Sequence, residues 1–331
     1  MRITRLLIVL LFFTPSELFA QDAPVRVIYH PPWNISKLPM YLARERGIFE
    51  RNGLKVVWIN PGSNDNLLAA LKKGEADIAV VSANHIAQNN TSGGAPMRLV
   101  GNTGYNYSVF LAGPTIKSAG DLKGKKVGSG EKGSTPDQLT RLALKKLGID
   151  PEQDVTLVHL DESRNSTRVK SLLSGEIAGM MVTAETLYDL EKNGQIRQFN
   201  KLTDHQQLQI YAGGGADYAV AEEFLKHRRD EAKRFMAGIC EGIGIARKDK
   251  AAALAFVAKT GRKLDAAGIE YLYRLYIKDV IPARPYLKPE GIDLAIQMNA
   301  TLDPASRPIN PKDLADSSLM PELVNEGLCN Y

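Results

Sequence analysis

Cysteine is almost missing from this chain: among 331 residues only Cys240 and Cys329 occur. Two thiols are too few for a structural zinc site. They leave two arrangements open: a single disulfide tying the C-terminal tail to a helix in an oxidising compartment, or a buried free Cys240 with a frayed Cys329. Long apolar runs are missing as well. Beyond residue 20 no segment is long and apolar enough to cross a bilayer, which argues against a membrane-anchored sensor ectodomain. Neither charge dominates, with 42 Lys+Arg against 37 Asp+Glu. The two signs are interleaved, as in Lys72–Lys73–Gly74–Glu75, so they read as solvated helix faces and nucleic acid is not expected as a partner. There is no GxxxxGK[ST] loop and no nucleophile elbow. His30, His85 and Glu185 are too far apart for spacing to argue a metal or catalytic set. No cofactor and no enzymatic activity are expected.

What is present begins with a leader. Arg2 and Arg5 precede the apolar run Leu6–Phe13, and Thr14–Pro15–Ser16 and Leu18–Phe19–Ala20 follow. This is the three-part layout of a secretory signal peptide, with cleavage expected after Ala20 and no cysteine behind it for a lipid anchor. With 44% hydrophobic and 24% charged residues the composition is ordinary for a globular protein, and the length allows two domains.

The stretch Leu67–His85 occurs twice. Its echo is Arg168–Leu187. Setting Gly74 on Gly175 places Glu75 on Glu176, Leu71 on Leu172, Val81 on Val182, Ser82 on Thr183 and Ala83 on Ala184. Each copy reads as an amphipathic helix, a glycine stop, and an apolar strand ending in a small hydroxyl residue. The match extends outward, Val27 to Val127 and Gly47 to Gly148. Strands over Val25–Tyr29, Leu54–Ile59 and Ala76–Val81 therefore alternate with a helix over Lys37–Arg46 and a second helix capped by Asn64 or Asp65. That order makes a parallel βαβαβ unit. The second unit has strands over Lys126–Ser129, Val155–Leu160 and the echo, with a helix over Pro136–Leu147.

Tyr107–Pro114 is expected to cross between the units and Leu208–Gly215 to return, glycines 213–215 serving as a hinge. Helices are then expected over 219–228, 231–248, 250–260, 266–278 and 289–302, with Leu272, Tyr273 and Tyr276 packed on the first unit. The expected divisions are 1–20 leader, 21–112 lobe one, 113–208 lobe two, and 209–331 the return crossover with C-terminal helices packing on lobe one.

With this plan in view, the chain resembles the periplasmic solute-binding proteins of ABC importers, in the group that binds nitrate, sulfonates, taurine and thiamine precursors. The residues carrying the resemblance are Pro39–Met40–Tyr41–Leu42–Ala43 with Gly47–Ile48–Phe49 and Gly53–Leu54. Leu71–Lys72–Lys73–Gly74–Glu75–Ala76–Asp77–Ile78–Ala79 and Asp121–Leu122–Lys123–Gly124–Lys125–Lys126–Val127–Gly128 continue it. The resemblance implies a type II, two-lobed α/β fold in which each lobe is a parallel-rich βαβ sheet with flanking helices. It also implies a small ligand held between the lobes, a membrane permease as partner, a monomer, and a periplasmic location. Some relatives are enzymes of thiamine-precursor synthesis with a cysteine-rich motif, which this chain lacks.

Ligands of open parallel sheets bind beyond the carboxyl ends of the strands. That rule selects His30, Trp33 and Asn34, then Ser82, Asn84 and His85, then Thr103, Tyr105 and Asn106 from lobe one. From lobe two it selects Gly130, Lys132, Gly133, Ser134, Thr135, Thr183 and Glu185. The glycine-rich loop 128–136 opens onto a helix N-terminus and suits an anion, unless Ser134 or Thr135 simply caps its own helix. Trp33 and Tyr105 offer faces for a flat or apolar ligand, with packing between strands as the alternative. The expected ligand is a small organic anion, a sulfonate or a carboxylate, aromatic acids included.

Overall fold

Ile78–Val81 (IAVV) is buried at every position, as befits a central strand covered on both faces. Everything in the first lobe is arranged around it. The structure, a computed structural model, describes residues 23–29, 35–105, 107–132, 135–160, 165–203, 216–259 and 264–330. The leader, the Leu208–Gly215 run with its hinge glycines, and His30, Trp33, Asn34, Asn106, Gly133 and Ser134 lie outside the described residues.

The strands in chain order are β1 (Val25–Tyr29), β2 (Val56–Ile59), β3 (Ile78–Val81), β4 (Met97–Asn102), β5 (Ser108–Ala112), β6 (Lys126–Ser129), β7 (Thr156–His159), β8 (Gly179–Thr183), β9 (Asn200–Thr203) and β10 (Asp217–Ala221). Among the described residues they form two five-stranded sheets, ordered β2-β1-β3-β10-β4 and β7-β6-β8-β5-β9. β1, β2 and β3 run parallel, as do β6, β7 and β8. The repeat survives in the register: Val27 pairs with Ile78, and Val127 with Gly179. In each sheet the fourth strand is antiparallel and comes from the far side of a crossing, β5 after lobe one and β10 after lobe two. The paired glycine stops share one backbone state. Gly47 and Gly148 have φ 62° and 76°, and Gly74 and Gly175 have φ 68° and 76°. A side chain is strained in that left-handed region, which is why both copies use glycine there.

The helices are α1 (Leu38–Glu45), α2 (Ile48–Arg51), α3 (Asn64–Lys72) and α4 (Ala83–Thr91), then α5 (Thr135–Lys146), α6 (Asn165–Leu173) and α7 (Ala184–Lys192). After β10 come α8 (Glu222–His227), α9 (Arg229–Lys248), α10 (Lys250–Lys259), α11 (Ala266–Leu275), α12 (Pro289–Leu302), α13 (Pro311–Leu314) and α14 (Leu319–Asn325). One face of the first sheet packs on α1, α9 and α11, where Phe49 stacks on Phe235 at 4.8 Å and Leu272, Tyr273 and Tyr276 are buried. Its other face is covered by α3, α4 and α12. α12 also reaches the second lobe. Ile292 and Ala295 join the lobe-one core, while Leu294 and Met298 join the core around Phe110 and Val127. Adjoining faces of one helix therefore serve both lobes.

Three expectations change. Residues 219–221 belong to β10 rather than to a helix; the run is short and buried between β3 and β4, and periodicity cannot tell such a strand from a helix turn. Ser63, not Asn64 or Asp65, caps α3, accepting from Asn66 N–H at 3.2 Å. The helix expected to run to Lys278 leaves α-geometry after Leu275 and continues as a π-helical turn, Tyr276–Val280. The cysteine question resolves as a disulfide between Cys240 on α9 and Cys329 in the tail. Arg229 reinforces that attachment by donating to Asp316 at 2.8 Å and to Glu322 at 2.8 and 3.0 Å.

Candidate functional site

The repeat places the ends of β3 and β8 on corresponding edges of the two sheets, and each end feeds a helix. After β3, Ser82 stands at the N-cap position of α4 in extended backbone, yet its hydroxyl does not cap the helix. Asp217, arriving on β10, does so instead. One carboxyl oxygen accepts from Ala83 N–H at 2.9 Å and the other from the Asn102 amide at 2.6 Å. Three strands and a helix are thus tied together where the chain leaves and re-enters lobe one. Asp217 is buried and has no ion-pair partner among the described residues. Burial pushes its carboxyl up to about 7, against the opposite pull of its two hydrogen bonds.

After β8, Thr183 repeats the role of Ser82: extended backbone, N-cap position, no capping by its side chain. Its hydroxyl lies 3.4 Å from that of Thr186. The first N–H of α7, on Ala184, donates to the Tyr107 carbonyl at 3.2 Å. Glu185, half-buried, follows in the first turn. In the loop after β6, Gly130 is buried and Lys132 exposed, and Thr135 begins α5 with Pro136 behind it. The N-terminus of α5 already holds an anion of its own. The buried Asp137 accepts from Ser129 Oγ at 2.7 Å and from Arg141 Nε at 2.9 Å, with His159 Nδ1 at 3.7 Å. His159 also lies 2.7 Å from the Gly130 carbonyl. These contacts fix the base of the loop.

The remaining candidates divide. Asn84 and His85 are buried in the first turn of α4, and Asn84 Oδ1 has no hydrogen-bond partner among the described residues. Thr103 and Tyr105 are held inside lobe one. The Thr103 hydroxyl donates to the Ser36 carbonyl at 3.0 Å and lies 3.1 Å from Tyr218 Oη. Tyr105 donates to the Asp279 carbonyl at 3.1 Å, and Lys288 stands 6.0 Å from its ring centroid. Tyr105 also lines, with Asn102, Asp217 and Lys288, a small cavity of about 20 Å³, room for a single water. Sequence reasoning missed Asp137, Asp217 and the buried Lys37, whose amine burial pushes down to about 7. The available signal was position: Asp217 lies two residues after the glycine run 213–215. Among the described residues no three His, Cys, Asp or Glu groups could hold a metal ion.

Two contacts close the flanks. On one side α12 spans both lobes. On the other, α7 meets α11: Tyr188 Oη donates to Asp265 at 2.6 Å and Lys192 Nζ donates to its second oxygen at 2.5 Å. Asp265 also caps α11 through Gly268 N–H at 2.8 Å. These donors, Lys192 first, hold its carboxyl well below the usual carboxylate range. A Cβ on Gly268 would stand 2.7 Å from the Tyr188 ring, so glycine permits the close approach.

The NMT1/THI5-like family model matches residues 34–253, most of the chain. The chain belongs to the NMT1/THI5-like family. It is 27% identical over 215 residues to the 4-amino-5-hydroxymethyl-2-methylpyrimidine phosphate synthase of Schizosaccharomyces pombe, covering 61% of this chain and 59% of that enzyme. It is 34% identical over 141 residues to a Haemophilus influenzae protein named for thiamine biosynthesis, covering 41% of this chain and 42% of that one. The chain thus spans well under two thirds of either relative. In fold it matches the periplasmic aliphatic sulphonate binding protein SsuA of Escherichia coli, with a TM-score of 0.69, 19% identity, and coverage of 88% of this chain and 92% of that one. The two-lobed α/β architecture is that of the type II periplasmic binding proteins. No helix among the described residues is long and apolar enough to cross a membrane.

Proposed function

We propose that this family member is the substrate-binding component of an ABC importer, exported through the leader at residues 1–20 and acting as a periplasmic monomer. It captures a small organic anion, a sulfonate or a carboxylate, between its lobes and delivers it to a membrane permease. The observation that carries the reading is the duplicated frame. Two sheets related by an internal repeat present matching helix N-termini, at Ser82 and Thr183, on either side of a double crossing. Such a frame holds a ligand by closing on it. The disulfide fits an oxidising compartment. Of the sequence candidates, His30, Trp33, Asn34, Ser82, Asn84, Asn106, Gly130, Lys132, Ser134, Thr135, Thr183 and Glu185 are assigned to the cleft. Thr103 and Tyr105 are assigned to its support.

A thermal-shift screen of sulfonates, carboxylates, nitrate and pyrimidines tests this, because a ligand of the closed form stabilises by mass action. A rise in melting temperature with organic anions is expected. The similarity to the S. pombe synthase favours a second reading, an enzyme of pyrimidine-precursor metabolism on the same fold. Both cysteines are spent in the disulfide, so no thiol remains for a cysteine-based motif. Turnover of a pyrimidine precursor with no stabilising ligand would establish the enzyme and end the binding-protein reading.

A further inference from the structure

The last turn of α9 lies against the π-helical turn Tyr276–Val280, and the coil that follows folds back onto the end of β4, where Asn102 N–H donates to the Pro285 carbonyl at 3.0 Å. These segments enclose a recess of about 230 Å³. None of its walls comes from residues 113–208, so it belongs to lobe one alone and is separate from a cleft that both lobes line. Pro282, Ala283 and Tyr286 line both the recess and a wide groove of about 610 Å³, and Tyr286 is 40% exposed, so a solute can reach it. Three cations line the recess, Arg247, Lys278 and Lys288, against one acid, Asp279. Arg284, on the adjoining groove, adds a further positive charge at the entrance. Arg247 is fixed in place, its Nη1 donating to the Ile281 carbonyl at 3.1 Å and the Ile277 carbonyl at 3.4 Å. A guanidinium carries five N–H donors, and Nε and Nη2 of Arg247 make no hydrogen bond among the described residues. Neither Arg247 nor Lys278 forms an ion pair among those residues. π-Helical turns are rare and are found frequently at functional sites.

We propose that this recess is a second binding site, for a small doubly charged oxyanion of the phosphate or sulfate kind. Three positive charges less one negative leave an excess of two, which a dianion balances and a monoanion does not. The volume is below the roughly 300–1,000 Å³ of pockets for drug-sized molecules, so the fit is to a small anion. The unbonded edge of Arg247 suits two oxygens of such a group, and its carbonyl anchors hold that edge in place before the anion arrives. Lys278 and Lys288 supply the remaining charge. The site is independent of what the cleft between the lobes holds.

Titration calorimetry of the purified protein with sodium phosphate at pH 8 and with sodium sulfate tests this, with acetate at matched ionic strength as the singly charged reference. One saturable site is expected, binding at least one of the two dianions no less than about tenfold more tightly than acetate. Lys278 is exposed, so its variants should fold. Lys278→Glu should weaken dianion binding at least about tenfold, and Lys278→Gln by a smaller factor in the same direction. Lys125→Glu makes the same charge change on an exposed lysine of lobe two and should cost less than about threefold. Saturable binding of neither dianion overturns the proposal. So does a dianion that binds wild type and Lys278→Glu alike, which places it elsewhere. An equal loss in Lys125→Glu and Lys278→Glu reduces the effect to net charge and refutes the site. Acetate bound as tightly as both dianions refutes the ligand class. Each of these results leaves the reading of the cleft standing, because that is decided by the screen of organic anions.

Discussion

Replacing Asp217 by asparagine should remove a pH dependence that the fold otherwise carries. The carboxyl titrates near 3.8 in the open chain and at about 7 in the folded protein, because burial penalises the charged form. Between those values the folded protein holds a proton that the unfolded chain has lost. The stabilising contribution is therefore complete below about pH 4, declines as pH rises toward 7, and is gone above that. The ceiling is roughly 4 kcal/mol, at about 1.4 kcal/mol per pH interval of separation. At about 2 °C per kcal/mol for a chain of this size, that corresponds to some ~8 °C in melting temperature. Asparagine is neutral throughout and keeps an oxygen for Ala83 N–H; it gives up the bond from the Asn102 amide, whose own oxygen is held by Gly104 N–H at 2.8 Å, and that loss is the same at every pH. The assay is a thermal melt of both proteins at pH 5 and pH 8. The wild type should lose several degrees more than Asp217→Asn across that interval. Every other titrating group is common to both, so the difference reports Asp217. An identical loss in the two proteins would refute the account and show Asp217 ionised throughout.

Reducing the Cys240–Cys329 bond opens a span of 89 residues, worth about 4–5 kcal/mol by loop-closure entropy. A melting temperature unmoved by reductant would show that the tail is held by Arg229 and its carboxylate partners instead. Asp265→Ala removes the acceptor shared by Tyr188 and Lys192. Small-angle scattering should show a larger radius of gyration, and no change would reduce Asp265 to a cap for α11. Gly242→Ala puts a Cβ 2.1 Å from the Pro39 carbonyl, where α9 crosses α1; overpacking of this kind costs about 1–3 kcal/mol. A variant as stable as the parent would mean that the two helices can separate at no cost.

Much of the frame was legible beforehand because a duplicated unit repeats its punctuation. Gly74 and Gly175 stop equivalent helices in the same left-handed conformation, and Ile78 and Gly179 find equivalent partners. The parallel strands were readable because their apolar runs are bounded by turns. Of the antiparallel strands, β5 was readable as the extended crossing run Tyr107–Pro114, and β10 was not. β10 looks like the start of a helix until β3 and β4 close around it. The site was read by rule, from the carboxyl ends of strands, and so it included Thr103 and Tyr105, whose hydroxyls the fold engages with the Ser36 and Asp279 carbonyls.

By itself, then, the sequence determined the repeat, the parallel βαβαβ units, the helix stops and the residues at the strand ends, all of which follow from local spacing and backbone preference. Only the tertiary structure decided what those strand ends hold. The carboxyl that caps α4 comes from 134 positions further along the chain, and the bond from Cys240 to Cys329 spans 89. Contacts of that range are set by how sheets and helices pack, which no local pattern encodes. Desolvation of Asp217 is likewise a property of the packed core rather than of any segment of the chain.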